Sequence, residues 1–407
     1  MAFPIIRKWW GLIIFAAFAL AGIGTAFSFP HSVQANDRPD RPRVVFINPG
    51  ATGEVFWSLV SQTMRAAAEQ LDIDLVIETS ERDRELMKRL ALSTIQSFDK
   101  PDVLIIVNEE QAGTALLEAA NADGVKVLML LNDVVGETRQ RLGEPGGRLG
   151  NWIGSLVAEN RAVGRRLARA LGAFAESRGL TAERRKDKSR MRPIVAVYGD
   201  MITPSAIERN GGLHDVVSNG EYGLVIEHEL TADWDEEKAR MLMDRVLGYY
   251  ARSGSRRPVG VWAANEEMAM GAIRAMRANG MEPGVDVGIV GVNWAPEVFD
   301  AVEGGSMLVS EGGQFFAGAW AMVLLRDYFD GGGIAGKTKR VQIEMSPIFA
   351  DNIAVFKKTV GHIILRGAFE EIEYARFLVG PDGDASDYDF GLDALMDAAS
   401  SRLRTPD

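Results

Sequence analysis

The 407-residue chain contains no cysteine. Disulfides, thiol nucleophiles, thiolate metal sites and lipid anchoring through a cysteine are thereby excluded. Histidine is almost as scarce. Of four, His31 lies near the N-terminus, and His214, His228 and His362 show no metal-ligand spacing. Positive charge is also in short supply, with a net −11, which argues against nucleic acid as a partner. No Gly-x-Ser-x-Gly elbow is present. The adjacent carboxylates Glu109-Glu110 and Glu266-Glu267 open helical segments, where such pairs read as capping and solvated charge rather than as a general acid and base. No residue set asks for an enzyme, although a secreted α/β enzyme acting on a sugar derivative remains a competing class.

What is there is a soluble globular composition, 47% apolar and 25% charged, with enough length for two domains. Residues 1–35 read as a cleaved export signal. Arg7 and Lys8 form its charged region, Gly11 to Gly24 its apolar core, and Val33-Gln34-Ala35 a small-x-small cleavage site. The core is shorter than the ~20 residues of a membrane span, but Ala26 to Phe29 would lengthen it if it were kept as an anchor. Either way the folded part is expected in the periplasm.

The most informative stretch runs from Pro258 to Trp294. A short apolar strand, Val259 to Ala263, leads into a helix opened by Asn265, Glu266 and Glu267 and closed at Asn279-Gly280. A second strand, Val287 to Val292, ends at Asn293-Trp294. This strand–helix–strand unit puts Asn265 and Asn293 just past strand carboxyl ends, the rim where open α/β sheets bind ligands.

The same alternation runs through the chain. In the first half, strands are expected at Val44–Ile47, Asp74–Ile77, Val103–Val107, Val125–Leu131 and, briefly, Trp152–Ile153. A helix from about Val157 to Ser177 leads to a basic loop, Arg178 to Arg192. The second half has strands at Ile194–Tyr198 and Val225–His228, the unit above, then Met307–Val309, the apolar helix Phe316–Phe329, strand Val341–Met345 and a return segment Asn352–Arg366. Alternation of this kind predicts parallel sheets covered by helices on both faces, here in two lobes joined by crossing strands.

Gly331 to Thr338 satisfies the phosphate-loop pattern G-x-x-x-x-G-K-T, but it follows a helix and precedes a strand. That is the reverse of the order that aims backbone N–H groups at phosphates, so it reads as a turn. The glycine-rich turn Gly143 to Gly150 fails the dinucleotide fingerprint because Pro145 stands where its first glycine belongs. No cofactor is expected.

Aromatic rings and planar polar groups recur at strand ends: Asn48, Phe56, Trp57, Asn132, Asp133, Arg209, Trp234, Asn265, Asn293 and Trp294. Singly, each ring is as well explained as core and each amide as a turn former. Their recurrence suits a sugar or polyol, whose C–H faces lie on rings while its hydroxyls bond to amide, carboxylate and guanidinium groups.

On these residues the chain resembles the periplasmic sugar-binding proteins of the ribose/galactose type, the substrate-binding components of ABC importers. The likeness runs from about Arg43 to Leu365. It is carried by Ala264-Asn265-Glu266-Glu267-Met268-Ala269-Met270-Gly271-Ala272, then Gly291-Val292-Asn293, with support from Phe56-Trp57-Ser58, the segment Ser205 to Leu213, and Trp234. It implies a type I periplasmic binding protein: two Rossmann-like lobes with parallel sheets and crossing hinge strands. The lobes would comprise residues 36–154 with about 312–342, and 155–311 with about 343–379, followed by a mobile acidic tail at 380–407. Phe56 or Trp57 and Trp234 would sandwich the ligand, and Arg209, Asn265, Asn293, Asn132 and Asp133 would hold its hydroxyls, with Asn48 at the same rim. Asn293 and Asn132 stand where the sugar binders usually have aspartate, which leaves the sugar open. Gly312-Gly313-Gln314-Phe315 with Gly318-Ala319-Trp320 is similar to a branch that includes autoinducer-2 receptors, so the membrane partner is either a permease or a sensor kinase. Gln314 would be a ligand contact or a crossover residue. A monomer is expected.

Overall fold

The computed structural model describes residues 41–180, 191–253 and 257–403. The expected export signal and most of the basic loop between Arg178 and Arg192 lie outside the described residues. The first half gives β1 (Arg43–Asn48), α1 (Val55–Gln70), β2 (Asp74–Thr79), α2 (Arg84–Gln96), β3 (Val103–Ile106), α3 (Gly113–Ala122), β4 (Lys126–Leu131), α4 (Gly136–Leu142), β5 (Trp152–Ala158) and α5 (Asn160–Ser177). The second gives β6 (Arg192–Tyr198), α6 (Pro204–Ser218), β7 (Leu224–Thr231), α7 (Glu236–Ser253), β8 (Gly260–Ala263), α8 (Glu266–Ala278), β9 (Gly288–Asn293), α9 (Phe299–Glu303) and β10 (Val309–Gly312). Then come α10 (Ala317–Phe329), β11 (Arg340–Ile343), β12 (Ser346–Phe349), α11 (Ile353–Phe356), α12 (Val360–Arg366) and α13 (Leu392–Leu403).

Among the described residues the strands form two six-stranded sheets of matching order, β11-β5-β4-β3-β1-β2 and β12-β10-β9-β8-β6-β7. Every pairing is parallel except that of β12, which runs antiparallel to β10. Burial on both faces explains the continuous apolar strands. Val44 and Phe46 pack with α1, while Val45 and Ile47 join Leu104, Ile106 and Met87 in a separate core on the opposite face. Glycines set the closest helix contacts. A Cβ on Gly164 of α5 would lie 2.1 Å from the Arg209 carbonyl oxygen of α6, so α6 is seated directly on α5.

The chain passes between the sheets at β5 to α5, at β10 to α10 and at β11 to β12. The third segment therefore does return to the first sheet, as β11, before β12 joins the second.

Four expectations need correction. β5 extends to Ala158 and α5 begins only at Asn160. Its sequence, buried on both faces, carries no alternation to separate a strand from a helix start. Strand β12 contains Pro347, which masked it. Proline is tolerated there because β12 is an edge strand. The stretch 369–377 packs on the first lobe rather than the second: Phe369 meets Phe315 and Phe316, and Phe377 meets Trp320. The acidic tail is likewise held down. Phe390 stacks on Trp320 at 4.6 Å and 8°, Tyr388 donates to Asp327 at 2.9 Å, and Leu395, Ala398 and Ala399 are buried. The Gly331–Thr338 turn is part of that seat, with Gly333 bridged to Asp384.

Candidate functional site

Residues just past the carboxyl ends of strands in both sheets line a cavity of about 500 Å3, within the ~300–1,000 Å3 usual for small-molecule sites. The first sheet contributes residues 51–54, Phe56 and Trp57 after β1, Arg82 after β2, Glu109 after β3, Leu131 and Asn132 at β4, and Ala158 and Asn160 around the end of β5. The second contributes Thr203, Ser205 and Arg209 after β6, residues 233–235 after β7, Asn265 and Glu267 after β8, Asn293 at β9, and Gln314 after β10.

Of the residues expected from sequence, Phe56, Trp57, Asn132, Arg209, Trp234, Asn265, Asn293 and Gln314 all line this cavity. Asn48 and Asp133 stand outside it. Asn48 builds the turn into α1, accepting from the Gly50 N–H at 2.8 Å and donating to Ser61 Oγ at 2.9 Å. Asp133 is 3% exposed and pairs with Arg139 and, at 3.5 Å, with Arg340. Leu131 has a φ of +60° and the Asn132 N–H turns back to the Leu130 carbonyl, so the strand ends in a turn and Asn132 and Asp133 face different ways. Trp294 is also core. It is 1% exposed and meets the Phe356 ring edge-on at 4.8 Å.

Both tryptophans at the cavity rest on a glycine. A Cβ on Gly50 would lie 2.3 Å from Trp57, and one on Gly199 would lie 2.2 Å from Trp234. Phe56 and Trp57 meet edge to face at 5.2 Å. Trp234 is fixed further by its Nε1 donating to Asp200 at 2.7 Å. Asp233 and Trp234 have φ of +50° and +64°, a left-handed turn that side-chain-bearing residues adopt rarely, most often at functional sites.

The amides are partly occupied by the protein itself. Asn265 caps α8 by accepting from the Met268 N–H at 2.9 Å and donates to the Trp234 carbonyl at 3.3 Å. Asn132 Oδ1 accepts from the Ser205 N–H at 3.0 Å, a contact between the two lobes at the first turn of α6. Arg209 is 6% exposed. Its Nε donates to Asn160 Oδ1 at 2.7 Å and its Nη1 to the Ala264 carbonyl at 2.8 Å, so among the described residues it meets neutral acceptors and no carboxylate. Burial draws its pKa down to about 10 against the pull of Glu267 and Glu208, and the side chain stays cationic.

Charged groups that the sequence reading did not place here complete the walls. Arg82 donates to both Glu54, at 2.9 Å from Nε, and Glu109, at 2.8 Å. Burial outweighs that pairing and pushes the Glu109 carboxyl up to about 7. Burial likewise pushes Glu267 up to about 7, and Glu266 up to about 8. Neither member of that pair is the solvated charge expected. Glu266, 1% exposed, lies beneath the cavity, accepting from the Trp294 and Ala295 N–H groups at 2.9 and 2.6 Å and from Ser310. Two neighbours on a helix point about 100° apart, so adjacency alone could not say which enters the site. Arg82, Glu109, Asp233 and Asp235 follow strand ends just as Asn265 does, and strand-end position was the signal available for them.

The arrangement matches solved structures across nearly their whole length. A periplasmic sugar-binding protein from Pseudomonas fluorescens is 27% identical, covers 87% of this chain with 99% of its own, and superposes with a TM-score of 0.72. The periplasmic binding protein component of the arabinose ABC transporter from Shewanella sp. ANA-3, bound to α- and β-L-arabinofuranose, shares the fold at 20% identity, with 81% and 98% coverage and a TM-score of 0.65. Among curated proteins, the galactofuranose-binding protein YtfQ of Escherichia coli (strain K12) is 24% identical over 112 residues, and the match spans only 34% of that relative's length and 28% of this chain. Residues 44–333, most of the folded chain, match the family model of the periplasmic binding protein domain, and the chain belongs to that family.

Proposed function

We propose that this protein is a periplasmic solute-binding protein that encloses a small sugar or polyol between its lobes and delivers it to an ABC importer. The observation that carries this reading is the cavity itself. Its rings, Phe56, Trp57 and Trp234, and its hydrogen-bonding groups, Arg209, Asn132, Asn293 and Gln314, come from both sheets and converge where two lobes can close. Rings suit the C–H faces of a sugar, and a buried guanidinium without a carboxylate suits its oxygens. The related proteins named for arabinose and galactofuranose support the same ligand class. Closure about the three crossings follows from such a layout, and a ligand shifts the open–closed balance only by preferring the closed form.

The test is a titration of the mature protein with pentoses, hexoses and inositols, followed by tryptophan fluorescence and calorimetry. Saturable binding with the ligand recovered unchanged is expected, and Arg209→Ala should abolish it while keeping a native circular dichroism spectrum. Absence of binding across that panel by folded wild-type protein, or conversion of the ligand, would overturn the reading. Pull-down of the membrane partner decides between permease and sensor kinase.

A further inference from the structure

Along the second lobe's wall, two amides and a carboxylate form a relay. Gln314 Nε2 donates to Asn293 Oδ1 at 2.7 Å, and Asn293 Nδ2 donates to Glu267 Oε2 at 3.2 Å. With Glu267 ionised its direction is fixed. An ionised carboxylate only accepts, so Asn293 must turn its NH2 toward Glu267. Its oxygen then faces Gln314, which must in turn present its own NH2 and leave Oε1 over. Gln314 is 1% exposed, lines the cavity, and its Oε1 has no hydrogen-bond partner. An unpaired buried acceptor of this kind is destabilising until a donor reaches it.

Charge points the same way. Five carboxylates line the cavity against Arg82 and Arg209. Arg82 is committed to Glu54 and Glu109, and Asp233 has Lys238. Glu267 forms no ion pair among the described residues. Arg82 and Arg209 act on it only at a distance, and a neutral sugar would add no charge of its own. An ammonium brings three donors, no acceptor and a positive charge in direct contact.

We propose that the ligand is a sugar or polyol bearing an amine, its ammonium seated on the wall formed by Glu267 and Gln314. This rests on the sugar-binding reading above and names the class within it. The groups that face Glu267 are Glu54, Arg82, Arg209, the neighbouring Glu266, and Glu297 after β9. Burial holds the Glu267 carboxyl near 7, and a sugar amine beside hydroxyls titrates near an α-amino group, at roughly 8. Preference for the amine therefore peaks between those values. It falls at lower pH as Glu267 takes up a proton and at higher pH as the amine loses one.

The experiment titrates the mature protein with D-glucosamine, D-galactosamine and D-mannosamine, each beside its parent hexose and its N-acetyl derivative, and with arabinose and myo-inositol, at pH 5, 7.5 and 9.5. At least one amine should bind about 10-fold or more tighter than its parent at pH 7.5, as a charge-assisted bond allows. That advantage should be absent in the N-acetyl form and reduced at both other pH values. Glu267→Gln should erase it, so that amine and parent sugar bind that variant alike. Gln314→Met, checked for a native melt, should reduce it. Amines that bind no tighter than their parents, or an advantage that survives Glu267→Gln, overturn this inference and leave the sugar reading standing. Folded protein that binds none of the panel overturns both.

Discussion

Arg166 grips Glu311 with two hydrogen bonds, from Nε at 2.7 Å and from Nη2 at 2.8 Å. The same Nη2 donates to Glu159 at 2.7 Å and to the Met345 carbonyl at 2.9 Å. Those three acceptors sit at the three crossings between the lobes: Glu159 between β5 and α5, Glu311 on β10, and Met345 between β11 and β12. Glu159 closes the set by accepting from the Met345 N–H at 3.1 Å. One guanidinium thus ties together every stretch about which the lobes would rotate.

Arg166→Met would strand Glu311, which is 1% exposed and whose carboxyl burial already pushes upward. Stranding a buried charge costs roughly 3 kcal/mol. We expect a drop of about that size in unfolding free energy, and Arg166→Met with Glu311→Gln should recover most of it. Neither residue lines the cavity, yet ligand affinity should change in both variants because the open–closed balance is altered. Denaturant unfolding and calorimetric titration of the same samples check both effects. Unchanged affinity alongside the lost stability would show that the network braces the fold without biasing closure.

Gly199→Ala tests whether Trp234 is a wall of the ligand site. The added Cβ would sit 2.2 Å from the indole, which is held by Asp200 on one side and by left-handed backbone on the other. The ring must shift, at about 1–3 kcal/mol of overpacking. Ligand affinity should fall by about tenfold or more and the fluorescence response should shrink. A normal response from a folded Gly199→Ala protein would remove Trp234 from the site.

Glu109 sets a pH dependence of stability. Its carboxyl sits near 7 in the folded protein against an ordinary value of 4.5, because burial outweighs Arg82. Between those values the native state holds a proton that the unfolded chain has lost. The stability it contributes is therefore fully present below about 4.5 and is lost as pH rises through 7. At 14% side-chain exposure the shift is worth up to roughly 3 kcal/mol. The unliganded protein should unfold more easily at pH 8.5 than at pH 5, and Glu109→Gln should reduce that slope, with Glu266 and Glu267 supplying the remainder. Equal slopes for the two proteins would assign the dependence elsewhere.

Much of the architecture could be read from the chain because buried parallel strands are short apolar runs between helical periods. Rim residues follow from that pattern, since whatever succeeds a strand's last apolar residue stands at the sheet's carboxyl edge. That reasoning brought Asn132, Arg209, Trp234, Asn265 and Asn293 to one cavity. It failed where neighbours diverge. Asn132 and Asp133 have the same claim by position, but the turn at Leu131 leaves one at the cavity and the other on Arg139. Glu266 and Glu267 differ only by their angle around α8. The tail misled for another reason. Its Gly, Asp and Ser content suggests disorder, while a few spaced apolar residues, Phe390, Leu395 and Ala398, suffice to dock it.

That docking makes the last prediction. Phe390 lies flat on Trp320, Tyr388 stacks on Phe390 at 5.0 Å, and Asp327 holds the tail by accepting from Tyr388 and from the Val379 and Gly380 N–H groups, the last two at 3.0 Å. Phe390→Ala removes the middle ring of that stack from a buried position, which should lower the unfolding free energy by roughly 3 kcal/mol. No residue of 380–403 lines the cavity, so ligand affinity should stay within about twofold. A melt and a titration on one preparation check both. If Phe390→Ala left stability untouched, the tail would contribute nothing to the first lobe's core. If it changed affinity instead, the tail would bear on lobe closure from the far side of α10.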